Sequence, residues 1–534
     1  MNTKPSFVAE TLADLVRGAA DRWADRPALI FDDPKTTLSF ADIEAGTNAI
    51  ANVLADIGVA YGDRVAVMLR NRPEFPLTWL ALAKLGAVMV PLNVYYQETD
   101  AGFILSHSGA TMIITERDFV PLATKMVATV AAVRLVVSIE AVEESSTIKS
   151  LAALLPGAST SPLPQREIYP ETIANIQYTS GTTGKPKGCM LSHKYWCRLG
   201  RIVADGPPEI SETDVLLTAQ PFYYMDPQWN LTGAFQVGAN LVVLDRFHPS
   251  TFWSKVREYN VSFFYCLGMM PAAMYAMPPS VLDREHKVRA ISCSAIPTRL
   301  HLALEQRWGV PWYEAFGMTE TGGDLRILPS DHDDTIGKAC IGRPYYDREL
   351  RVVDSDNRPV LRGSQGEMVL RGIGMMEGYF EDAEATDRAF LGGWFHTGDL
   401  VRQDEEGRIF YLGRTKDTIR RSGENISAAE VEGVLIEHPD VFAAACVPVP
   451  DDLRGEEVKA YVVLREGVPE GSVPPEALSK WCSDRLAYFK VPRFWTFVGD
   501  LPRTPSERVA KSVLVEGITD LRAGAFDSVE GTWR

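Results

Sequence analysis

The feature that most restricts the fold of this chain is a regular alternation of helical and strand patterns over residues 11–295. Apolar residues recur at helical spacing over 11–26, and a short β-rich run follows at 63–69. The stretch 73–93 passes from a helical to a strand pattern, with Gly86 at the junction. Further strands are predicted at 241–245, 261–267 and 288–295. Because such alternation indicates parallel sheets covered by helices, we predict an α/β protein.

The pattern changes after about residue 347. Residues 348–372 indicate two strands around a Ser-Asp-Asn turn, which is typical of antiparallel structure. A compact set of helices and strands follows from residue 417, so we place a domain boundary near Lys416 and expect domains of residues 1–416 and 417–534. The last fifteen residues carry no clear pattern and are predicted to form a loosely held tail.

Composition indicates a globular enzyme and argues against some partners. Hydrophobic residues make up 46% and charged residues 23% of the 534-residue chain, which is enough to bury a large core. The net charge of −16 argues against nucleic acid or an anionic membrane as the main partner, because both repel an acidic surface. Seven cysteines without C-x-x-C spacing, and no signal-peptide or membrane-spanning run, predict a cytoplasmic protein with reduced thiols.

The segment 178–188, with the sequence YTSGTTGKPKG, is the strongest functional signal. It combines glycines, hydroxyl side chains and two lysines without any acidic residue, so its N–H groups and cations can converge on an oligophosphate. It is not a Walker loop, because Lys185 is followed by proline instead of serine or threonine. A flexible surface loop is the alternative. The candidate phosphate-binding residues are Thr179, Ser180, Gly181, Thr182, Thr183, Gly184, Lys185 and Lys187.

These eleven residues resemble the phosphate loop of the adenylate-forming superfamily, which includes acyl- and aryl-CoA ligases, luciferases and nonribosomal adenylation domains. The resemblance covers nearly the whole chain. It implies a large N-terminal domain of mostly parallel sheets with a β-subdomain, which binds ATP and acid, and a small mobile C-terminal α/β domain. It also implies ATP, Mg²⁺ and coenzyme A as cofactors. An acid first becomes an acyl-adenylate, and a thiol then displaces AMP.

Residues 313–320 are similar to the adenine and metal segment of the family. The resemblance implies that Glu320 holds Mg²⁺, that Thr319 reaches the α-phosphate, and that Tyr313 or Phe316 stacks on adenine. An exposed glutamate in a turn is the alternative. Residues 292–297 stand where the family often has Gly-Gly-Ala; small residues are kept there, but the glycines are not. The other nucleotide-binding candidates of these segments are Ser294, Glu314 and Ala315.

Two further motifs are similar to the ribose and hinge segments of the family. Asp399, in the run WFHTGD, would accept from both ribose hydroxyls, with Arg414 reaching the ribose or a phosphate. A turn-capping aspartate is the alternative for Asp399. Lys416 occupies the hinge position, about which the small domain would rotate between the half-reactions. Gly423 would let the backbone approach the pantetheine arm of coenzyme A.

Residues 221–230 stand where the family begins its acyl pocket. Tyr224 replaces the histidine of many members and keeps an aromatic gate. Asp226 is expected to be a helix N-cap, since Pro227 follows it. The alternative is that Asp226 and Trp229 bind a cationic or amino-bearing substrate. The other expected pocket residues are Gly268, Gly317 and Met318.

The C-terminal signature departs from the family pattern, which is L-P-R-T-x-x-G-K-x-x-K. Here Glu507 and Arg508 replace the glycine and the first lysine, while Lys511 is kept. We expect Lys511 to be the adenylation cation, one helical turn from an assisting Arg508. The alternatives are that Arg508 itself has this role, or that Lys511 is an ordinary surface lysine.

We therefore expect an ATP-dependent acid–thiol ligase that acts on a small-molecule carboxylic acid and coenzyme A. One alternative is an adenylating enzyme with another acceptor or substrate, such as a carrier protein, an amine or a small inorganic oxyanion. A second is a nucleotide-binding regulatory protein. Association into a homodimer stays open.

Overall fold

The computed structural model describes residues 9–163, 167–179, 186–267, 270–415, 418–421, 424–451, 454–469, 471–504 and 509–534. The strands are β1 Pro27–Phe31, β2 Thr36–Ser39, β3 Arg64–Met68, β4 Val88–Pro91, β5 Met112–Thr115, β6 Leu135–Ser138, β7 Ile148–Ser150, β8 Ile173–Thr179, β9 Lys187–Ser192, β10 Val215–Thr218, β11 Asn240–Val243, β12 Phe263–Leu267, β13 Ala290–Ser294, β14 Trp312–Met318, β15 Gly322–Arg326, β16 Cys340–Pro344, β17 Arg348–Val353, β18 Gln365–Gly372, β19 Phe395–Gln403, β20 Ile409–Arg414, β21 Thr418–Arg421, β22 Glu424–Ser427, β23 Val441–Asp451, β24 Gly455–Leu464, β25 Phe494–Phe497, β26 Phe526–Asp527 and β27 Thr532–Trp533.

The helices are α1 Leu12–Trp23, α2 Phe40–Asp56, α3 Glu74–Leu85, α4 Glu98–Ser108, α5 Val120–Thr129, α6 Leu151–Leu154, α7 His193–Ala204, α8 Met225–Val237, α9 Pro249–Glu258, α10 Met270–Ala276, α11 His301–Trp308, α12 His332–Thr335, α13 Ala383–Ala389, α14 Ala428–Ile436, α15 Pro475–Ser483 and α16 Lys511–Val515. Of the described helices, none combines the length and the apolar character that crossing a membrane requires.

The largest sheet joins a parallel part to an antiparallel part. Its strand order is β17-β18-β19-β20-β16-β15-β14-β13-β12-β10-β11-β1-β2. The strands β14, β13, β12, β10, β11 and β1 are mutually parallel, whereas β14 pairs antiparallel with β15 on its other side. The predicted α/β class is confirmed, and the two strands expected after residue 347 are the antiparallel pair β17 and β18.

A second sheet has the strand order β7-β6-β5-β3-β4-β8-β9 and is parallel except for the hairpin β8–β9. Gly86 ends α3 in the left-handed region (φ 66°), which glycine adopts readily, so the chain can turn directly into β4. The hairpin connection holds Ser180 to Lys185, which lie outside the described residues. The second sheet therefore presents the predicted phosphate loop between two paired strands.

Helices between these two sheets form the main core. The indoles of Trp79 on α3 and Trp196 on α7 are both fully buried and meet edge to face, with ring centroids 5.0 Å apart. Helices α7 and α8 approach so closely that a Cβ at Gly200 would lie 2.8 Å from the carbonyl oxygen of Thr232. This close packing fixes α7 and α8 relative to each other, and both carry residues of the site described below.

The strands after residue 417 form a sheet of their own, with the order β22-β21-β24-β25-β26-β27 and β23 paired to β24. In the described part of the chain, these strands pair with no strand of the other two sheets. A separate apolar cluster, which includes Ile419, Val458 and Trp495, fills one face of this sheet. This arrangement is compatible with the boundary at residues 416 and 417, which stays a prediction.

The expectation of a loosely held C-terminal tail is wrong. Residues 526–533 add the strands β26 and β27 to the C-terminal sheet. The fully buried carboxylate of Asp527 accepts hydrogen bonds from Arg493 (3.0 Å) and Arg534 (2.7 Å). Strands of two residues are too short to show a hydrophobic periodicity in the sequence. Arg493, the partner of Asp527, lies 34 residues away. The sequence pattern therefore gave no sign of this contact.

Asp527→Asn tests this anchoring. Burial alone would raise the pKa of Asp527, but hydrogen bonds from Arg493 and Arg534 outweigh it and lower the pKa to about 2. The substitution should lower the free energy of unfolding by about 2 kcal/mol, because it removes the charge from a fully buried acceptor of two arginine hydrogen bonds. The ordinary pKa of an aspartate is about 4, so the stabilisation should be complete above about pH 4 and disappear as the pH falls toward 2.

The measurement is thermal unfolding of both proteins between pH 3 and pH 7. Asp520→Asn is the matched control, because the exposed carboxylate of Asp520 accepts hydrogen bonds from its near neighbour Arg522. Equal melting temperatures for the two variants at pH 7 would contradict the anchoring role of Asp527.

Candidate active site

The centre of the site is the turn at residues 319–321, where β14 ends and β15 begins. The hydroxyl of Tyr195 on α7 donates to the carbonyl oxygen of Thr319 (3.1 Å). The N–H of Met376 donates to the carbonyl oxygen of Glu320 (2.8 Å). The hydroxyl of Tyr379 donates to the side-chain oxygen Oε1 of Glu320 (3.0 Å). The turn is therefore fixed from the helix layer on one side and from segment 376–379 on the other.

Lys187 reaches the same place from the phosphate loop. It is the first residue of β9 and pairs across the hairpin with Thr179, the last residue of β8. Its Nζ lies 4.8 Å from the centre of the Tyr379 ring, within the range of a cation–π interaction. The structure thus brings together Lys187, Tyr379 and Glu320. Of the predicted site residues, Ser180, Gly181, Thr182, Thr183, Gly184, Lys185, Gly268, Lys416, Gly423 and Arg508 lie outside the described residues.

Glu314 holds the loop that was predicted to face adenine. Its carboxylate accepts the N–H of Ala295 (2.6 Å) and the N–H of Ile296 (2.9 Å). Ala295 lies in the left-handed region (φ 64°), which is unfavourable for any residue other than glycine, asparagine or aspartate. Burial raises the pKa of Glu314 to about 8 against the opposing effect of the two N–H donors. Glu314 therefore acts by fixing the backbone of the loop.

Two hydroxyls connect this loop to the predicted acyl pocket. Tyr265 on β12 donates to the hydroxyl of Ser294 (2.8 Å), and Ser294 donates to the carbonyl oxygen of Ala315 (2.6 Å). The Tyr265 ring meets the indole of Trp229 edge to face, with centroids 4.8 Å apart. Tyr265 thus contacts both the loop that was predicted to face adenine and the predicted acyl pocket.

The adenine-stacking candidates Tyr313 and Phe316 both lie on β14. The Tyr313 ring is half-buried and packs on the imidazole of His332 (4.8 Å between centroids). Oε1 of Glu305 lies 2.9 Å from Nε2 of that imidazole. Burial acts to raise the pKa of Glu305, but hydrogen bonds from His301 and His332 outweigh it and lower the pKa to about 2. Phe316 packs against the main core.

The predicted ribose residues are in direct contact. Asp399 is buried on β19, and its Oδ1 lies 2.9 Å from the Nε of Arg414 at the end of β20. Arg414 also donates to the carbonyl oxygen of Thr397 (2.7 Å), and the Thr397 hydroxyl accepts the N–H of Asp399 (3.0 Å). The pair is consequently preorganised as one unit with both charges in fixed positions.

The N-cap prediction for Asp226 is wrong. Helix α8 begins at Met225, the residue before Asp226. Tyr224 is therefore its N-cap, and Asp226 lies inside the first turn. An acidic residue there is favourable because the N-terminus of a helix carries partial positive charge. The Tyr224 hydroxyl accepts a hydrogen bond from the side-chain amide of Asn93 (3.1 Å), which positions the predicted gate.

Gly317 and Met318 lie on β14 as part of the hairpin with β15. A Cβ at Gly317 would approach the carbonyl oxygen of Gly322 to 2.1 Å, so the hairpin itself requires glycine at this position. A role for Gly317 and Met318 in lining the acyl pocket stays a prediction.

The helical turn expected between Arg508 and Lys511 is also wrong. Val509 forms an antiparallel bridge with Arg503, and α16 begins only at Lys511. Backbone pairing of Val509 therefore replaces the expected helix. The Nζ of Lys511 lies 2.7 Å from Oε1 of Glu432 on α14.

Sequence reasoning missed Tyr379, Tyr195, Tyr265, Asn93 and Glu432. Each acts through a contact with a residue at least 29 positions away, and tyrosine or asparagine alone carries no distinctive motif. For these five residues, only the run Gly-Tyr-Phe at 378–380 gave a weak sequence signal. Its glycine permits another backbone segment to approach closely.

Comparison with known proteins identifies the family. The chain matches "AMP-binding enzyme" over residues 16–380 and "AMP-binding enzyme C-terminal domain" over residues 430–508. It belongs to the AMP-binding enzyme family. This agrees with the predicted adenylate-forming superfamily and with the predicted acyl-CoA synthetase activity, an acid–thiol ligase that uses ATP and coenzyme A.

Crotonobetaine/carnitine–CoA ligases are among the most similar relatives. The protein from Salmonella arizonae is 31% identical over 514 residues, which cover 92% of this chain and 96% of the relative. The one from Proteus mirabilis is 31% identical and covers 93% and 97%. In both cases the similarity extends over more than nine tenths of each chain.

Solved structures of ligases share the fold. O-Succinylbenzoate CoA synthetase from Bacillus subtilis, in complex with its acyl-adenylate, is similar with a TM-score of 0.82 and 27% identity, covering 94% of this chain and 97% of that one. ATP-bound MatB from Rhodopseudomonas palustris has a TM-score of 0.83 and 26% identity, with coverages of 94% and 98%.

Glu314→Gln tests the role of Glu314 in fixing the adenine-facing loop. In the native protein, deprotonation as the pH rises through about 8 lets both carboxylate oxygens accept N–H groups. We therefore expect AMP affinity to increase up to about tenfold between pH 6.5 and pH 9.5, as for one hydrogen bond gained. Glu314→Gln should bind AMP at the weaker level throughout. Calorimetric titration measures both, and identical pH profiles would contradict the assignment.

Proposed function

We propose that the two half-reactions share this one site. The carboxylate of the acid attacks the α-phosphorus of ATP, the bond to pyrophosphate breaks, and an acyl-adenylate forms. The thiol of coenzyme A then loses its proton and attacks the acyl carbon, and AMP leaves with the bonding electron pair. The observation that carries this proposal is the convergence of Lys187, Tyr379 and Glu320 where the chain leaves the phosphate loop.

Glu320 is the residue that would hold Mg²⁺. Mg²⁺ in nucleotide sites takes one or two carboxylates together with phosphate oxygens, and a half-buried glutamate fixed by a hydroxyl fits that pattern. Among the described residues, no three His, Cys, Asp or Glu side chains form a metal-binding group, so the phosphates would supply further ligands. The bound cation would offset the negative charge of the triphosphate.

The remaining residues have positioning and binding roles in this proposal. Lys187 and Thr319 would contact phosphate oxygens, and the Asp399–Arg414 pair would bind the ribose hydroxyls. Lys416 as the hinge and Gly423 as the place of pantetheine approach remain predictions of the family resemblance. A cytoplasmic location is likewise proposed, with the seven free, buried cysteines as support.

The adenylation cation is the second part of the proposal. We keep Lys511 in this role with Arg508 assisting, and the structure adds a condition. Lys511 is held by Glu432, so it would have to exchange this carboxylate for the α-phosphate and the acyl oxygen. A cation aimed at the developing charge contributes about 3–4 kcal/mol to the stability of the transition state.

Three variants test this assignment. Lys511→Ala should reduce the rate of acyl-adenylate formation at least about 100-fold, and Arg508→Ala should reduce it less. Glu432→Gln weakens the hold on Lys511 and should leave adenylation intact or increase it. The measurement is pyrophosphate exchange, followed by thioester formation from pre-formed acyl-adenylate. Normal exchange in Lys511→Ala together with loss in Arg508→Ala would assign the role to Arg508.

The acid itself is proposed to carry a positive charge. Trp229 and Tyr265 form an aromatic corner. Burial, followed by the negative charge of the Asp226 carboxylate, raises the pKa of Tyr265, so this carboxylate acts on the same corner. Aromatic faces together with a carboxylate favour an ammonium group over a neutral alkyl group of the same shape. The relatives named for crotonobetaine and carnitine add support, because both of those acids contain a trimethylammonium group.

A matched pair of acids tests the charge preference. 4-(Trimethylammonio)butanoate and 5,5-dimethylhexanoate have nearly the same shape and both have a carboxylate. Only the first also carries a cationic group, the trimethylammonium group. We expect kcat/KM for thioester formation to favour the cationic acid by about tenfold or more, with Asp226→Asn reducing this ratio. Mass spectrometry of the CoA thioester supplies the product measurement. Preference for the neutral acid by the native enzyme would contradict the proposal.

A further inference from the structure

The segment Met376–Phe380 links two parts of the site through its backbone. The N–H of Met376 donates to Glu320, while the N–H of Glu377 donates to the carbonyl oxygen of Met190 on β9. The carbonyl oxygen of Gly378 accepts the N–H of Met190, and the N–H of Phe380 donates to Gly188. The segment therefore runs along β9, the strand that leaves the phosphate loop, and ends against the turn at residues 319–321.

Tyr379 belongs to this segment, and hydrogen bonds fix both its backbone and its side chain. Its backbone N–H donates to the hydroxyl of Thr386 (2.9 Å), and its side-chain hydroxyl donates to Oε1 of Glu320 (3.0 Å). A phenol hydroxyl carries its proton at neutral pH, so it acts as the donor toward the carboxylate. One oxygen of Glu320 is consequently occupied in a fixed direction.

The ring of Tyr379 has a second contact. Lys187 lies over its face at 4.8 Å, whereas the Glu320 carboxylate is bound at its hydroxyl, so the residue holds the two charged groups at different places. A direct Lys187–Glu320 ion pair would neutralise both charges that the nucleotide requires, one for phosphate and one for a cation. Among the described residues, Lys187 has no ion pair with Glu320.

We propose that Tyr379 is the positioning residue for the metal carboxylate: its hydroxyl orients Glu320 toward a divalent cation bound to the nucleotide, and its ring keeps Lys187 available for phosphate. This inference rests on the proposed role of Glu320. Groups that hydrogen-bond to metal-binding carboxylates typically change metal affinity about 10–100-fold when removed. Tyr379 itself touches neither the cation nor the reacting atoms.

The test measures nucleotide binding without turnover. The probe is α,β-methylene-ATP, which cannot be adenylated, titrated calorimetrically into full-length enzyme in the presence of Mg²⁺ or of EDTA. The ratio of the two Kd values gives the gain that the cation provides. Tyr379→Phe keeps the ring over Lys187 and removes only the hydroxyl, so it should reduce this ratio about tenfold while leaving the Kd in EDTA unchanged.

Tyr195→Phe is the matched control. It removes one tyrosine hydroxyl from the same turn, but that hydroxyl binds the carbonyl oxygen of Thr319 and not the carboxylate. It should leave the ratio unchanged. Equal ratios for Tyr379→Phe and Tyr195→Phe would overturn the inference, because the hydroxyl would then act only on the stability of the turn.

Glu320→Gln separates this inference from the proposed function on which it rests. It should abolish the Mg²⁺-dependent gain. If Glu320→Gln retains the gain, the metal assignment fails and the inference fails with it. If Glu320→Gln loses the gain and Tyr379→Phe keeps it, only the inference fails. Thr386→Val, which releases the backbone of Tyr379, supplies a second variant and should reduce the ratio in the same direction.

Discussion

Two buried ion pairs lie behind the turn at residues 319–321, and the rest of the site depends on them. Arg348 on β17 binds Asp324 on β15 (2.8 Å), and both side chains are fully buried. Arg198 on α7 binds Asp347 through two hydrogen bonds of 2.8 and 2.7 Å. Removing one member of such a pair costs about 3–5 kcal/mol, because its partner is left charged and buried.

These ion pairs join the helix layer to both parts of the large sheet. Arg348 also donates to the carbonyl oxygen of Thr321 (2.7 Å), and Arg198 donates to that of Gly323 (2.9 Å). The backbone at the start of β15 is therefore fixed from behind, at the place where the sheet changes from parallel to antiparallel pairing. The opposite side of the turn presents Glu320 to Tyr379, which explains how a short turn can hold a carboxylate in a defined direction.

Much of the fold could be predicted from sequence, whereas the roles of the candidate site residues stay predictions. The helix–strand alternation with Gly86 at a junction identified the parallel sheets, because hydrophobic periodicity and glycine are local signals. The family resemblance predicted that Asp399 and Arg414 both bind the nucleotide, but it did not predict that they contact each other. Contacts between distant residues could not be predicted. Tyr379 binds Glu320, which lies 59 positions away in the sequence, and no local sequence pattern predicts such a contact.

The three wrong expectations share one feature: a local sequence pattern did not decide the local structure. Asp226 has the chemistry of an N-cap, yet α8 begins one residue before it. Residues 508–511 have helical spacing, yet Val509 pairs with Arg503. The C-terminal residues lack a period, yet Asp527 binds two arginines. For the C-terminal residues, the deciding contact comes from Arg493, which lies 34 positions away.

The central claim is that one site forms an acyl-adenylate before coenzyme A takes part. Exchange of labelled pyrophosphate into ATP, measured with acid and Mg²⁺ but without coenzyme A, tests it most directly. The account predicts exchange that depends strictly on the acid, followed by AMP release and thioester formation once coenzyme A is added. Exchange that proceeds without any acid, or that requires coenzyme A before it begins, would contradict the account.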